Sequence, residues 1–250
     1  MPLFETESLV LKSYNLAEAD RIVVFFTRDH GIVRGVAKGA RRLKSRFGSS
    51  LELFSRVQLE FFQKEERELV NIQQVDLLRS SFDSASSPEF LQTFSYLADL
   101  LTAVVPPHDP NEKLYRMLKA CIDAADLPDA NLAALRFYFE LWLLKLGGYL
   151  PNWNICDICK RELSDDETAD VQADFHLICA NCRRSRNRQV LTGSHRQIFA
   201  AGQKLGPGEF AEFAKDLTEQ VAEISGIFKR IISNVIGREV ASEKSFAVNF

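Results

Sequence analysis

No run of 18 or more apolar residues occurs anywhere in the 250-residue chain, which argues against a helix that spans a bilayer. The most apolar stretch, LAALRFYFELWLLKLGGYL, is interrupted by Arg136, Glu140 and Lys145 and reads as a core helix. The opening residues, MPLFETESLV, lack a basic segment followed by an apolar one, so no secretion signal is expected and a cytoplasmic location is. Catalytic signatures are also missing. There is no G-x-x-x-x-G-K-[ST] phosphate loop and no H-E-x-x-H helix. None of His30, His108, His176 and His195 has a glutamate two residues on, as a zinc deaminase requires. No internal repeat or low-complexity tract interrupts a composition of 46% hydrophobic and 26% charged residues. That is the profile of a globular chain, long enough for one large domain or two to three small ones.

Cysteine is scarce but concentrated. Four of the five cysteines form two C-x-x-C pairs, Cys156 with Cys159 and Cys179 with Cys182, separated by nineteen residues. In a reducing cytoplasm such pairs point to metal ligands rather than disulfides. Four thiolates complete the tetrahedral shell that Zn2+ prefers, so the site is closed and structural; a catalytic zinc keeps one position open. A thioredoxin-like redox couple needs one pair at the start of a helix in a βαβ unit, which the surrounding pattern does not supply. His176, three residues before Cys179, is an alternative ligand that four cysteines make unnecessary. Cys121 sits on an apolar helix stripe and reads as a small buried hydrophobe.

The net charge of -3 hides an asymmetry. Residues 34–46, RGVAKGARRLKSR, hold six cations, Arg34, Lys38, Arg41, Arg42, Lys44 and Arg46, and no acid. Backbone phosphates sense a local patch, so this stretch is a candidate surface for nucleic acid. Gly35 and Gly39 are expected to let the backbone approach a partner, and Phe47 to stack on a base. A second run, RRSRNR, offers Arg183, Arg184, Arg186 and Arg188 beside the last cysteine, with Asp165, Asp166, Glu167 and Asp170 available to balance it.

Five segments before residue 80, SLVLKSY, RIVVFFT, GIVRGVA, RVQLEFF and ELVNIQQV, are rich in β-branched and aromatic residues, with a charged KEERE hairpin before the last. Five short strands suit a small closed barrel of OB type. Helix signals follow. Ser87-Pro88-Glu89 starts one helix and Pro106-Pro107 stops it. Asp109-Pro110-Asn111-Glu112 starts a second, with Glu112 placed to close a capping box. A third runs from about Asp129 to Gly147-Gly148, Thr192 or Ser194 caps a short one, and Gly208 opens a long one through Val235. The expected organisation is an OB-fold domain over residues 1–82 and a helical domain over 83–250, with a zinc-finger insertion at 153–189.

The run from Leu9 to Phe62, with its AEADR turn, T-x-x-H-G segment and AKGARR-x-x-SRFG block, resembles the N-terminal domain of the bacterial RecO family. LRFYFELWLLKLGGYLPNWNIC resembles that family's helix leading into its zinc module, although Lys160 follows the first knuckle where glycine is common. The resemblance implies a non-enzymatic DNA repair and recombination mediator that binds single- and double-stranded DNA and anneals complementary strands. It also implies partnership with RecR, single-stranded-DNA-binding protein and, indirectly, RecA. For the acidic, aromatic-tipped tail of that binding protein, Arg136 and Lys145, flanked by Phe137, Phe139 and Trp142, are the candidate rim. The alternative is a zinc-stapled docking platform with only incidental affinity for DNA.

Overall fold

The computed structural model describes residues 2–63, 68–164, 166–183 and 189–237, and the chain divides by compactness into two units that meet in sequence at Asp126 and Leu127. In the first, β1 (Leu3–Leu16), β2 (Asp20–Thr27), β3 (Gly31–Ala37), β4 (Arg56–Phe62) and β5 (Leu69–Arg79) close a barrel in the order β1-β2-β3-β5-β4. The β3–β5 pair is parallel and the other pairs are antiparallel, which is the OB arrangement. These are the five strands that composition predicts; residues 64–67 of the KEERE hairpin lie outside the described residues.

Alternation sets the two barrel faces. Val10, Val23, Phe25, Val33, Val57, Leu59, Phe61 and Ile72 fill the interior. Gly35 belongs to this lining: a Cβ there would come within 2.7 Å of the Ile72 side chain. Its missing side chain therefore makes room for the core and not for a partner, contrary to the expectation from sequence. On the outer face Phe26 and Leu9 are also buried, because helices cover them. After the short α1 (Phe82–Ala85), α2 (Pro88–Val104) starts at Ser87, whose hydroxyl accepts from the Phe90 N–H. It sets Phe90 and Phe94 against Phe54 and Asp99 against Lys12. α3 (Glu112–Ala125) places Tyr115 edge-on to Phe26. Tyr115 Oη and Lys119 Nζ each donate to the Glu7 carboxylate at 3.1 Å.

The α3 start corrects the capping-box expectation. The cap is Asn111, which accepts from Leu114 N–H at 3.0 Å, so Glu112 stands first in the helix and pairs with Arg28 on the barrel. The T-x-x-H-G segment explains how the linker before α3 is held. Thr27 Oγ1 accepts from His30 N–H and donates to the Gly31 carbonyl, both at 2.9 Å. Gly31 itself has φ +63°, and a Cβ there would lie 2.3 Å from the Asp109 carbonyl oxygen. Only glycine permits that approach.

In the second unit α4 (Leu132–Leu146) is buried nearly all round, with Phe137 and Phe139 fully enclosed. The three-stranded sheet β7-β6-β8, from β6 (Ala169–Val171), β7 (Leu177–Cys179) and β8 (Val190–Leu191), precedes α5 (Gly193–Lys204). The Thr192 side chain and His195 close the cap of α5. The long final helix expected from Gly208 is two, α6 (Pro207–Phe213) and α7 (Thr218–Ile236). Periodicity runs through the break because Phe210, Ala214, Val221 and Ile224 all face the core; the backbone leaves α6 at Ala214 and re-enters a helix after Leu217, at φ -113° and ψ 28°. No helix among the described residues is long and apolar enough to cross a membrane.

Candidate nucleic-acid interface and metal centre

The six cations of residues 34–46 are all exposed, but they are not equivalent. The loop that carries most of them is seated on the β1–β2 turn. Arg41 donates from its backbone to Ala19 O at 3.0 Å and from Nη1 to Ala17 O at 2.9 Å, while Asp20 Oδ1 accepts from Gly39 N–H at 2.8 Å. Gly39 turns the chain at φ +73°. Two motifs that lie apart in sequence, AEADR and AKGARR, thus form one structure. Further on, Arg46 lies over the Phe47 ring at 4.9 Å and donates to Ile72 O at 3.3 Å. Arg34, Lys38, Arg42 and Lys44 have no acidic partner within 4 Å among the described residues.

Phe47 cannot stack on a base: it is 2% exposed and packs in the barrel core, where it anchors the loop. The apolar groups that do reach solvent here were not singled out from sequence. Leu43, between Arg42 and Lys44, is fully exposed. Tyr14 is about half exposed and is paired across β1–β2 with Ile22, which is paired with Val36 on β3. That outward row runs next to Lys12–Val24–Arg34, so an aromatic face stands one row from a free guanidinium. Alternation along β1 gave no such signal: Tyr14 shares its parity with the inward Val10, and the irregularity between Val10 and Lys12 turns it to the outer face.

The four cysteine sulfurs converge, all within 4.8 Å of one another, with Cys159 and Cys179 at 3.9 Å. A tetrahedral Zn–S shell of about 2.3 Å bonds has S–S edges of about 3.8 Å, so the residues fit a four-coordinate metal. Cys156 lies in a knuckle whose turn ends in a Lys160 N–H to Cys156 O bond of 2.9 Å. Lys160 adopts φ +59°, the left-handed region where glycine is at ease, and this is the physical meaning of its replacing one. Burial pushes the Cys156 thiol up, but the backbone N–H groups of Cys159, Cys179 and Ile158 outweigh it and bring it down to about 6. Cys182 is pushed up to about 12, first by the Cys179 side chain and then by burial. Crowded sulfurs resist full ionisation unless a cation sits among them, which is what a metal supplies. His176 stays outside the cluster, facing Asp174 at 3.3 Å. Cys121 is fully buried and its thiol is pushed well up by burial, as for an inert hydrophobe.

The module is fastened to the helices by Trp153 and Arg196. Trp153 is fully buried against Phe199 and Phe228 and donates to Phe175 O at 2.8 Å. Arg196, 3% exposed on α5, donates to the carbonyls of Ser164, Trp153 and Leu163 at 2.7, 3.0 and 3.1 Å.

The chain matches the family profile Recombination protein O N terminal over residues 1–81 and Recombination protein O C terminal over residues 91–244. This chain belongs to the RecO family. The DNA repair protein RecO of Koribacter versatilis is 31% identical over 197 residues, 77% of this chain and 78% of its own. Those of Rubrobacter xylanophilus and Geobacter metallireducens are each 32% identical, over 73% and 72% of both chains respectively. The profiles part between residues 81 and 91, whereas compactness groups α2 and α3 with the barrel.

The remaining predicted positions are less free than the sequence makes them. Arg183 Nε lies 2.6 Å from the buried Asp170 carboxylate, and Arg184, Arg186 and Arg188 fall outside the described residues. Arg136 pairs with buried Glu140, which also accepts from Ser225 Oγ at 2.7 Å. Lys145 lies over Trp142 at 4.3 Å. Nine residues apart on a 3.6-residue helix, Arg136 and Lys145 point to opposite sides of α4 and do not rim one groove.

Proposed function

We propose that this RecO-family chain is a non-enzymatic DNA repair and recombination mediator acting in the bacterial cytoplasm, with one structural Zn2+ on Cys156, Cys159, Cys179 and Cys182. It binds single- and double-stranded DNA through Arg34, Lys38, Arg42 and Lys44, with Arg41 and Arg46 holding the loop and adding to its field. Leu43 and Tyr14 supply apolar contact to bases. The observation that carries this reading is the seated loop: Lys38, Arg42 and Lys44 stand on a backbone pinned to the β1–β2 turn, with Arg34 beside them on β3, and none of the four has an acidic partner among the described residues. Phosphate contacts of this kind are sequence-independent, as a protein acting on any damaged strand requires.

Annealing follows from the same chemistry. Two complementary strands repel each other until their phosphates are neutralised, and a basic surface holding both lets base pairing proceed. The family resemblance further implies that the chain works with RecR to assist RecA on strands coated by single-stranded-DNA-binding protein. The test is annealing of two dye-labelled complementary oligonucleotides by the native chain and by Lys38→Glu/Arg42→Glu/Lys44→Glu. The reversed loop should lose the acceleration while the barrel stays folded. Annealing at the native rate would sink the assignment and bring the docking-platform reading forward.

A further inference from the structure

The geometry points to a second nucleic-acid contact, a nucleobase pocket in the zinc-module unit. An open-sided cleft of about 400 Å³ is lined by Val171, Gln172, Ala173, Phe175, Gln189 and Arg230. It lies between the β6–β7 hairpin and α7, and none of the four cysteines lines it. Pockets of this size suit a single heterocycle with its sugar rather than a long peptide.

Three features specify the ligand. First, Phe175 is half buried and presents its ring to the cleft, with the Arg230 guanidinium 5.9 Å from the ring centroid. An aromatic face beside a guanidinium is what stacks an unpaired base. Second, Phe175 has φ +67°, a conformation costly for a bulky residue. It is held there by Phe175 N–H to Gln172 O at 3.0 Å, Gln172 N–H to His176 O at 2.8 Å and the Trp153 indole on its carbonyl. A residue held against its own preference has its ring direction set by the scaffold. Third, Gln172 Nε2 is buried and lacks a hydrogen-bond partner among the described residues. A buried unmet donor is expensive, and a turn of the Gln172 amide into the cleft it lines would let it meet the carbonyl or ring nitrogen on a base edge. Across the cleft the Gln189 amide is held by Arg230, which leaves its N–H group for a second edge contact.

The cleft therefore takes one unstacked base of a single strand, while the barrel loop takes phosphates. This extends the proposed function, and its test separates the two. Affinities are measured for a twenty-nucleotide oligo-dT and for an abasic strand with the same phosphates. Phe175→Ala should weaken oligo-dT about 10-fold, the scale of one lost stacking contact, and leave the abasic strand unchanged. Phe175→Tyr keeps the ring and should bind as the native chain does. Gln172→Ala should weaken oligo-dT several-fold, and it also serves where Phe175→Ala loses bound metal and hence its fold. Equal loss on both strands, or no loss for either Phe175→Ala or Gln172→Ala, would overturn the pocket. A flat response to Arg42→Ala/Lys44→Ala with Phe175 still required would overturn the barrel reading alone.

Discussion

Replacing both Arg42 and Lys44 by alanine should change how binding depends on salt without changing the fold. Each phosphate neutralised on a single strand steepens the log–log salt dependence by about 0.7. If Arg34, Lys38, Arg42 and Lys44 each meet one phosphate, the native slope from this loop is about 2.8, and raising salt from about 50 to about 200 mM weakens binding about 50-fold. With two contacts gone the slope halves to about 1.4 and the same change weakens binding only about 7-fold. Among the described residues neither side chain is hydrogen-bonded to the barrel, so melting temperature should not move. Arg41→Ala is the informative contrast. It removes the bond to Ala17 O and should cost about 1 kcal/mol of barrel stability, loosening the seat of the loop as well as removing a charge. The assay is fluorescence anisotropy of a labelled oligo-dT over a salt series, with thermal unfolding in parallel. An unaltered slope in Arg42→Ala/Lys44→Ala would refute the reasoning, because charges without acidic partners would then not be the ones DNA uses.

Three further outcomes follow from the packing. Cys179→Ser should abolish stoichiometric zinc, read by metal analysis, and expose residues 153–183 to protease while leaving the salt slope of the barrel loop in place. Arg196→Met removes the donor to the buried Trp153 and Leu163 carbonyls, while Ser164 O keeps the Glu167 N–H, and should cost about 2 kcal/mol or more, seen as a lowered denaturant midpoint with zinc still bound. Burial works to raise the Glu7 carboxyl, but Lys119, Tyr115 and Arg56 together hold it below its ordinary value of 4.5. A depressed folded pKa adds stability above 4.5 that is lost as pH falls through the lower folded value. Glu7→Gln should therefore reduce stability at neutral pH and flatten its fall in acid, read by melting temperature against pH.

The strands were legible because β-branched and aromatic residues cluster in short runs, and the cysteine site because thiolate spacing is a property of the chain itself. What sequence could not show depends on neighbours distant along the chain. Gly35 and Phe47 read as interface residues until β5 fills the space above one and the barrel core encloses the other. The run from Phe210 to Val235 keeps helical periodicity across a break, since the two helices turn their apolar faces to the same core. Glu112 is three residues from Asp109, as a capping box requires, yet the helix starts at Glu112, so it is Asn111, three residues before Leu114, that caps it.

Arginine explains why a count of cations overstates an interface. Its planar fork satisfies carbonyls and carboxylates that would otherwise be buried unmet, and this chain uses it so repeatedly. Arg196 ties the cysteine module to α5, Arg41 ties the loop to the β1–β2 turn, Arg183 answers buried Asp170, and Arg136 answers buried Glu140. Those residues carry charge but each is tied to a protein acceptor, so their contribution to a ligand is mainly a field that salt screens. Donors left for phosphate oxygens belong to Arg34, Lys38, Arg42 and Lys44, and they surround Leu43 and the Tyr14 row. Charge of this kind attracts any strand, whereas the exposed apolar groups reward one whose bases are accessible. A surface combining them should favour single strands over duplex at high salt, where the phosphate contribution fades and base contact remains.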